Sequence, residues 1–310
     1  MKIGIIGINN SIEESKVEQL KKALGNNLYG IFSHHREDIL PLSKRFDLDL
    51  FSSANLLFEN VDAIYFANSL KTNFDFAINA LKNSCHLFIE DISELSLDEI
   101  KQVYKLAVEA QIKVHIKNAY LFAPEYMAAS SSISLPQLIE ITQEQNFFFR
   151  PKNYFYEIFN DVSLAITIAN SGVKKTSINA IPLDLNHFSL IYIRLDFDNG
   201  CQTTIKYNNI SKEKQNFATF YQSNQLIKID FSNHQASKFD IIHGQIITTD
   251  FKTEENSPTD IELKHFVQSV TSENNEKISE TPNELYMIQV TQTIMEKLYQ
   301  LLNPSFQNNN

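Results

Sequence analysis

From its start to about residue 118, the chain alternates short, wholly apolar runs with longer stretches whose apolar residues recur at helical spacing. Few folds accept that rhythm. Lys2 to Gly7, Leu28 to Ser33, Ala63 to Ala67, His86 to Glu90 and Lys113 to Lys117 read as strands buried on both faces. Glu13 to Leu24, Arg36 to Phe46, Thr72 to Lys82 and Leu97 to Ala110 read as the helices between them. In the last of these Ile100, Val103, Tyr104, Ala107 and Val108 form one apolar stripe. Strand, helix, strand at this spacing demands right-handed crossovers and a parallel sheet, and so a doubly wound α/β domain.

Past Pro124 the rhythm changes to strands with little helix between them. Gln137 to Phe149 begins apolar-polar alternation, and Asp161 to Asn170 reads as a helix. Ser189 to Phe197 and Gln202 to Tyr207 flank Asp198-Asn199-Gly200, a hairpin signal because Asn-Gly readily supplies positive φ angles. Further strands at Asn216 to Gln222, Gln225 to Phe231 and Gln245 to Asp250 make a large, mostly antiparallel open sheet. Two helices close the chain, Thr259 to Thr271 and Pro282 to Leu302, with Thr281 as a cap for the second. The tail Gln307 to Asn310 is expected to be disordered. These readings divide the chain into an α/β domain over 1–121 and an α+β domain over 122–310.

Charge and cysteine content narrow the function classes. A formal charge of -10 disfavours nucleic acid and anionic membranes, which call for clustered cations. Lys174-Lys175 reads as a solvated loop. The apolar run at the N-terminus is too short for a signal-peptide core or a membrane span, so a cytoplasmic protein is expected. Cys85 and Cys201 read as small buried residues without metal-ligand spacing, and no metal is expected from the histidines either.

Gly7, ending the first strand ahead of a helix, stands where a dinucleotide-binding turn would stand. Such a turn needs glycines so that pyrophosphate can approach the backbone and the N–H groups of the helix start. Here the pattern reads Gly7-Ile8-Asn9-Asn10-Ser11-Ile12, in which the first glycine alone remains and Asn9 is left to make the turn. The second strand ends in Ser33 rather than in an acidic residue, followed by His34, His35 and Arg36. Nothing there repels a 2′-phosphate, so NADP is favoured over NAD. Weak binding and no cofactor at all both remain open readings.

Asp62-Ala63-Ile64-Tyr65-Phe66-Ala67, and then Cys85-His86-Leu87-Phe88-Ile89-Glu90, resemble the glucose-fructose oxidoreductase and inositol dehydrogenase (Gfo/Idh/MocA) family. That family reads D-A-V-Y-I-A-T-P-N-x-x-H and, after a helix, K-H-V-x-x-E-K-P. The resemblance continues at Leu121-Phe122-Ala123-Pro124, at Leu195 to Gly200, at His265-Phe266 and at Glu284-Leu285. It implies a Rossmann-like domain followed by an open-sheet domain, and NAD(P)-dependent oxidation or reduction of sugar-like or polyol ligands. It also implies that Gly7, Ile8, Asn9, Asn10, Ser33, His34, Arg36, Ala67, Asn68 and Glu90 line the cofactor.

The resemblance also marks what has changed. The lysine of E-K-P is Asp91, and the family's Asp and His four residues apart on a helix become Tyr156 and Asn160. Asn68-Ser69 replaces T-P, Asn73 replaces a histidine, and Leu121 replaces an arginine. Removing hydride from an alcohol also requires removing its proton, and these positions no longer offer the family's groups for it. The expectation is a member with a degenerate catalytic site and weak or lost cofactor binding. Two alternatives stand beside it: an active NADP-dependent reductase using Tyr156 or water, and a non-catalytic binding or structural partner subunit. Asp91, Tyr156, Glu157 and Asp161 could surround a cleft. In the plainer reading Glu157 and Asp161 are exposed helix residues and Tyr156 packs among Tyr154, Phe155 and Phe159. Apolar Ile191-Tyr192-Ile193 suggests that the open sheet is covered by another copy, giving a homodimer or homotetramer.

Overall fold

The structure is a computed structural model, which describes residues 1–7, 14–146, 154–271 and 284–302. Ile8, Asn9, Asn10, the capping residue Thr281 and the tail Gln307 to Asn310 therefore lie outside the described residues. The chain forms two units, one of Met1–Lys117 with Ser257–Leu285 and one of Asn118–Asn256 with Tyr286–Asn310.

In the first unit, strands β1 (Ile3–Ile6), β2 (Leu28–Ile31), β3 (Asp49–Leu50), β4 (Ala63–Ser69), β5 (His86–Asp91) and β6 (Val114–Ile116) form a parallel sheet in the order β3-β2-β1-β4-β5-β6. Helices α1 (Glu14–Leu24), α2 (Arg36–Phe46), α3 (Ala54–Phe58), α4 (Phe74–Lys82) and α5 (Leu97–Ala110) connect them. The strand order reverses between β1 and β4, which is where the carboxyl ends of such a sheet open a crevice for a ligand. α5 is set by its ends: Ser96 and Glu99 form a reciprocal capping box, and Gln111 closes it in the left-handed conformation.

The return of the chain after residue 256 to this unit has a packing cause. Helix α8 (Pro258–Thr271) buries Leu263 and Phe266 in the same core as Ile3, Ile5, Val17, Leu20, Tyr65 and Phe88. Two such side chains stabilise by about 1.5–3 kcal/mol each. A single cut at residue 121 misses this, because apolar spacing marks a buried face without naming the sheet it covers.

In the second unit, helix α6 (Pro124–Ser130) leads to β7 (Leu138–Asn146), and α7 (Phe155–Ala169) to β8 (Val173–Pro182), β9 (Phe188–Phe197), β10 (Gln202–Asn208), β11 (Ile210–Tyr221), β12 (Gln225–Asp230), β13 (Gln235–Ile242) and β14 (Gln245–Asp250). The sheet runs β14-β13-β12-β11-β7-β10-β9-β8; its pairings are antiparallel except that of β7 with β10. Helix α9 (Glu284–Leu302) ends the described chain. At the Asn199-Gly200 hairpin only the glycine has positive φ, at 88°. Gly200 N–H donates to the Phe197 carbonyl at 3.1 Å, and the Asn199 side chain accepts from Cys201 N–H at 3.0 Å.

Two expectations fail in this unit. α7 begins at Phe155, six residues ahead of Asp161, because Phe155, Ile158, Phe159 and Val162 already form a buried stripe. Ile191 and Ile193 share one face of β9 and are fully buried, whereas Tyr192 lies on the other. That other face carries polar pairs, with Lys206 to Glu144 at 3.0 Å, Tyr221 to Glu140 at 2.6 Å and Arg194 to Asp196 at 2.9 Å. It is not the apolar surface inferred from three consecutive residues, since alternate residues of a strand face opposite ways. Both cysteines are buried, and burial pushes each thiol up to about 11.

Candidate functional site

Gly7 follows β1 at the reversal of strand order. Its φ of +97° is a conformation that side chains with a Cβ rarely adopt, and a Cβ there would meet Asn68 N at 3.3 Å and Asn73 Nδ2 at 3.5 Å. The Asn68 amide donates to the Gly7 carbonyl, which ties the end of β4 to the start of the turn. A glycine held open beside two strand ends fits the close approach that pyrophosphate needs.

Along the neighbouring strand end, Ser33 is buried and its Oγ accepts from His35 N–H at 3.2 Å. The His34 ring packs 5.4 Å from Phe76 and 5.5 Å from Phe32. Arg36 is the exposed first residue of α2, a helix whose free N–H groups favour an anion, although Glu37 and Asp38 share its first turn.

Glu90, the last residue but one of β5, is largely buried and gathers three donors. Lys16 of α1 pairs with Oε2, while Tyr65 donates to Oε1 and Lys117 reaches the same oxygen at 3.3 Å. Lys16 also donates to the Ala67 carbonyl at 3.2 Å. Burial and the neighbouring carboxylate hold the Tyr65 hydroxyl far above its usual range, so it stays a donor. Sequence reading named Ala67 and Glu90 and missed both lysines and the tyrosine. One signal was available: Lys16 lies on the same helical row as Leu20 and Leu24, a row that is otherwise buried.

A second buried cluster sits at β6. His115 Nε2 lies 2.8 Å from Glu262 of α8, and its Nδ1 2.9 Å from Glu284. Tyr104 donates to Glu284 at 2.9 Å. Burial opposes charge on the imidazole, but Glu284 and Glu262 outweigh it and hold the ring up to about 10. This cluster clamps the returning helix to the sheet.

In the second unit Asp161 is fully buried, not exposed, and accepts from Tyr207 at 2.6 Å and Gln143 at 2.7 Å. Gln143 and Asn216 both donate to Tyr120, at 3.2 and 2.6 Å, and Tyr120 stacks on Phe231 at 4.5 Å. Burial and then Asp161 hold the Tyr207 hydroxyl well above its usual range. Glu157 is half-buried rather than exposed. Asp161 Oδ2 thus ties Tyr207 and Gln143 into one buried polar network, and such a network specifies packing.

The positions that resemble the family's catalytic groups are occupied structurally. Asp91 Oδ1 accepts from Ser93 N–H at 2.8 Å, closing the turn after β5. Asn160 Oδ1 accepts from Ala119 N–H at 3.1 Å, and the Tyr156 ring meets Phe155 edge-on at 5.6 Å. Among the described residues no cluster of His, Cys, Asp and Glu is arranged to hold a metal ion, and no helix is long and apolar enough to cross a membrane.

Comparison with known proteins supports the fold. Residues 1–118 match the family GFO_IDH_MocA, "Oxidoreductase family, NAD-binding Rossmann fold". UDP-N-acetylglucosamine 3-dehydrogenase of Acidithiobacillus ferrooxidans is 20% identical over 244 residues, covering 76% of this chain and 75% of that one. A solved structure of that enzyme superposes with a TM-score of 0.83 at 14% identity, over 98% of this chain and 99% of that one. Biliverdin reductase from Synechocystis, in complex with biliverdin and NADP+, gives 0.71 at 12% identity, over 95% and 98%.

Proposed function

We propose that this chain, whose residues 1–118 belong to the Gfo/Idh/MocA family of NAD-binding Rossmann oxidoreductases, binds a nicotinamide dinucleotide weakly and lacks the family's proton-transfer chemistry on sugars and polyols. The observation that carries this reading is the turn at Asp91. Its carboxylate accepts from Ser93 N–H, at the position where the resemblance puts an ammonium. A negative group there opposes charge growing on a substrate oxygen. Asn160, held to Ala119, has no proton to exchange near neutral pH.

Binding rests on this chain's own residues. Gly7 and Asn68 would hold the pyrophosphate turn open, and Ser33 with Arg36 would receive the adenosine end. When bound, the dinucleotide supplies hydride transfer; each proton has to come from the chain or from water. Ser33 brings no carboxylate against a 2′-phosphate and Arg36 brings a cation, so NADP binds ahead of NAD. The relatives' activities, on a UDP-linked sugar and on biliverdin, nominate an anionic substrate of sugar or tetrapyrrole type for a binding screen.

Calorimetric titration with all four nicotinamide dinucleotides tests the binding half. The expected result is an NADP(H) dissociation constant of about 10 μM to 1 mM, with NAD(H) weaker. Sub-micromolar affinity for NAD would overturn it.

A further inference from the structure

Lys16 stands in the first turn of α1, where a cation opposes the helix macrodipole, so helix formation does not account for it. Its side chain leaves the helix for the sheet. The ammonium pairs with Glu90 Oε2 on β5 and donates to the Ala67 carbonyl on β4 at 3.2 Å. α1 joins β1 to β2, and β4 and β5 lie on the other side of β1, so this contact crosses the reversal of strand order. Its far end is anchored. Tyr65 and Lys117 hold the other oxygen of Glu90, and Tyr65 is buried and stacked on Phe88 at 5.1 Å. The Glu90 side chain is 9% exposed, which separates this pair from the solvated ion pairs that contribute little.

The sequence supplies a reason for such a contact. A dinucleotide turn keeps its third glycine so that the following helix can pack closely on the strand before it, and here that position is Ile12. Val17, Leu20 and Leu24 bury α1 in one core with Ile3, Ile5 and Ala67. Apolar packing is non-directional, however, and does not fix where the helix start sits against the strand ends. A charge-assisted hydrogen bond has a length and a direction and does fix it. The Asn68 amide, donating to the Gly7 carbonyl, is a second tie over the same gap.

We propose that Lys16 is a positioning residue for the dinucleotide. Its bonds to Glu90 and Ala67 hold the start of α1 at a set distance from the ends of β4 and β5, so that the helix start and Gly7 meet one diphosphate together. This rests on the reading that the crevice takes a nicotinamide dinucleotide. Lys16 acts through the backbone it places rather than by touching the ligand, because two acceptors already engage its ammonium.

Calorimetric titration with NADP reads the outcome in wild type, Lys16→Met, Lys16→Arg and Lys22→Met, each with its thermal midpoint. Lys16→Met keeps the aliphatic stem and loses both bonds, and its affinity is expected to fall by about 10-fold or more. Lys16→Arg can reach the same acceptors and is expected to stay within about 3-fold of wild type. Lys22→Met removes the same charge from an exposed position of the same helix, and no change is expected, which separates geometry from general electrostatics. Should Lys16→Met fail to fold, Lys16→Gln, which keeps an amide donor, takes its place with an expected loss of at least about 3-fold. A merely structural Lys16 would lower the thermal midpoint and leave the affinity of the folded protein unchanged. That result overturns the proposal, as does tighter binding by Lys16→Met or a loss that Lys16→Arg shares in full. A wild type that binds none of the four dinucleotides overturns the binding reading and this inference with it, whereas a wild type that binds no better than Lys16→Met overturns the inference alone.

Discussion

His115 is the residue whose protonation the fold controls most strongly. Its ordinary value of 6.5 is raised to about 10 between Glu284 and Glu262. Because the folded value is the higher one, its stabilisation is complete below pH about 6.5 and fades as pH rises through about 10. The comparison that reads this is urea unfolding of wild type and His115→Gln. Near pH 6 the variant is expected to lose about 3–5 kcal/mol, since it leaves two buried carboxylates without their cation. The gap should shrink steadily as pH approaches 10, and a gap independent of pH would contradict the charge assignment. This cluster was invisible in the sequence: His115, Glu262 and Glu284 lie in three separate segments. Asp91, Tyr156 and Asn160 stood out only because a family pattern gave them an alignment, and their contacts could not be read from it.

At the scale of elements, the turn after β1 concentrates the constraint. Gly7→Ala forces a side chain into φ of +97° and toward Asn68 N at 3.3 Å. The expected cost is about 1–3 kcal/mol of stability, together with a measurable loss of NADP affinity by calorimetry. An alanine variant as stable as wild type, and binding equally well, would show that the turn has room to relax. Helices α2 and α5 were legible to their end residues, because periodicity and acidic first turns agree in both segments, and α5 has a capping box as well. β3, α3, α6, β8 and β13 were not legible. β3 and α3 are too short to show a period, α6 lies just beyond a composition break, and β8 has no exposed-buried alternation. β13 carries polar residues on both faces. Its place is set by pairing with β12 and β14 rather than by its own pattern.

For the whole molecule, a parallel sheet followed by a mostly antiparallel one was legible in the rhythm of the sequence, because parallel and antiparallel sheets bury strands differently. The return of α8 to the first unit did not, since it depends on which core Leu263 and Phe266 enter. The Glu90 cluster was half legible: Ala67 and Glu90 were named, whereas Lys16, Tyr65 and Lys117 reach them from elements far apart in sequence. The central claim joins this family fold to the loss of its proton-transfer groups, and nicotinamide absorbance under turnover tests it most directly. Wild-type protein is incubated with NADP(H) or NAD(H) and a panel of sugars, inositols, their keto forms and UDP-N-acetylglucosamine. General acid–base groups contribute about 10²–10⁴-fold, so the account predicts no turnover above background on any of them. About one turnover per second or faster, within the ordinary enzyme range, would contradict it.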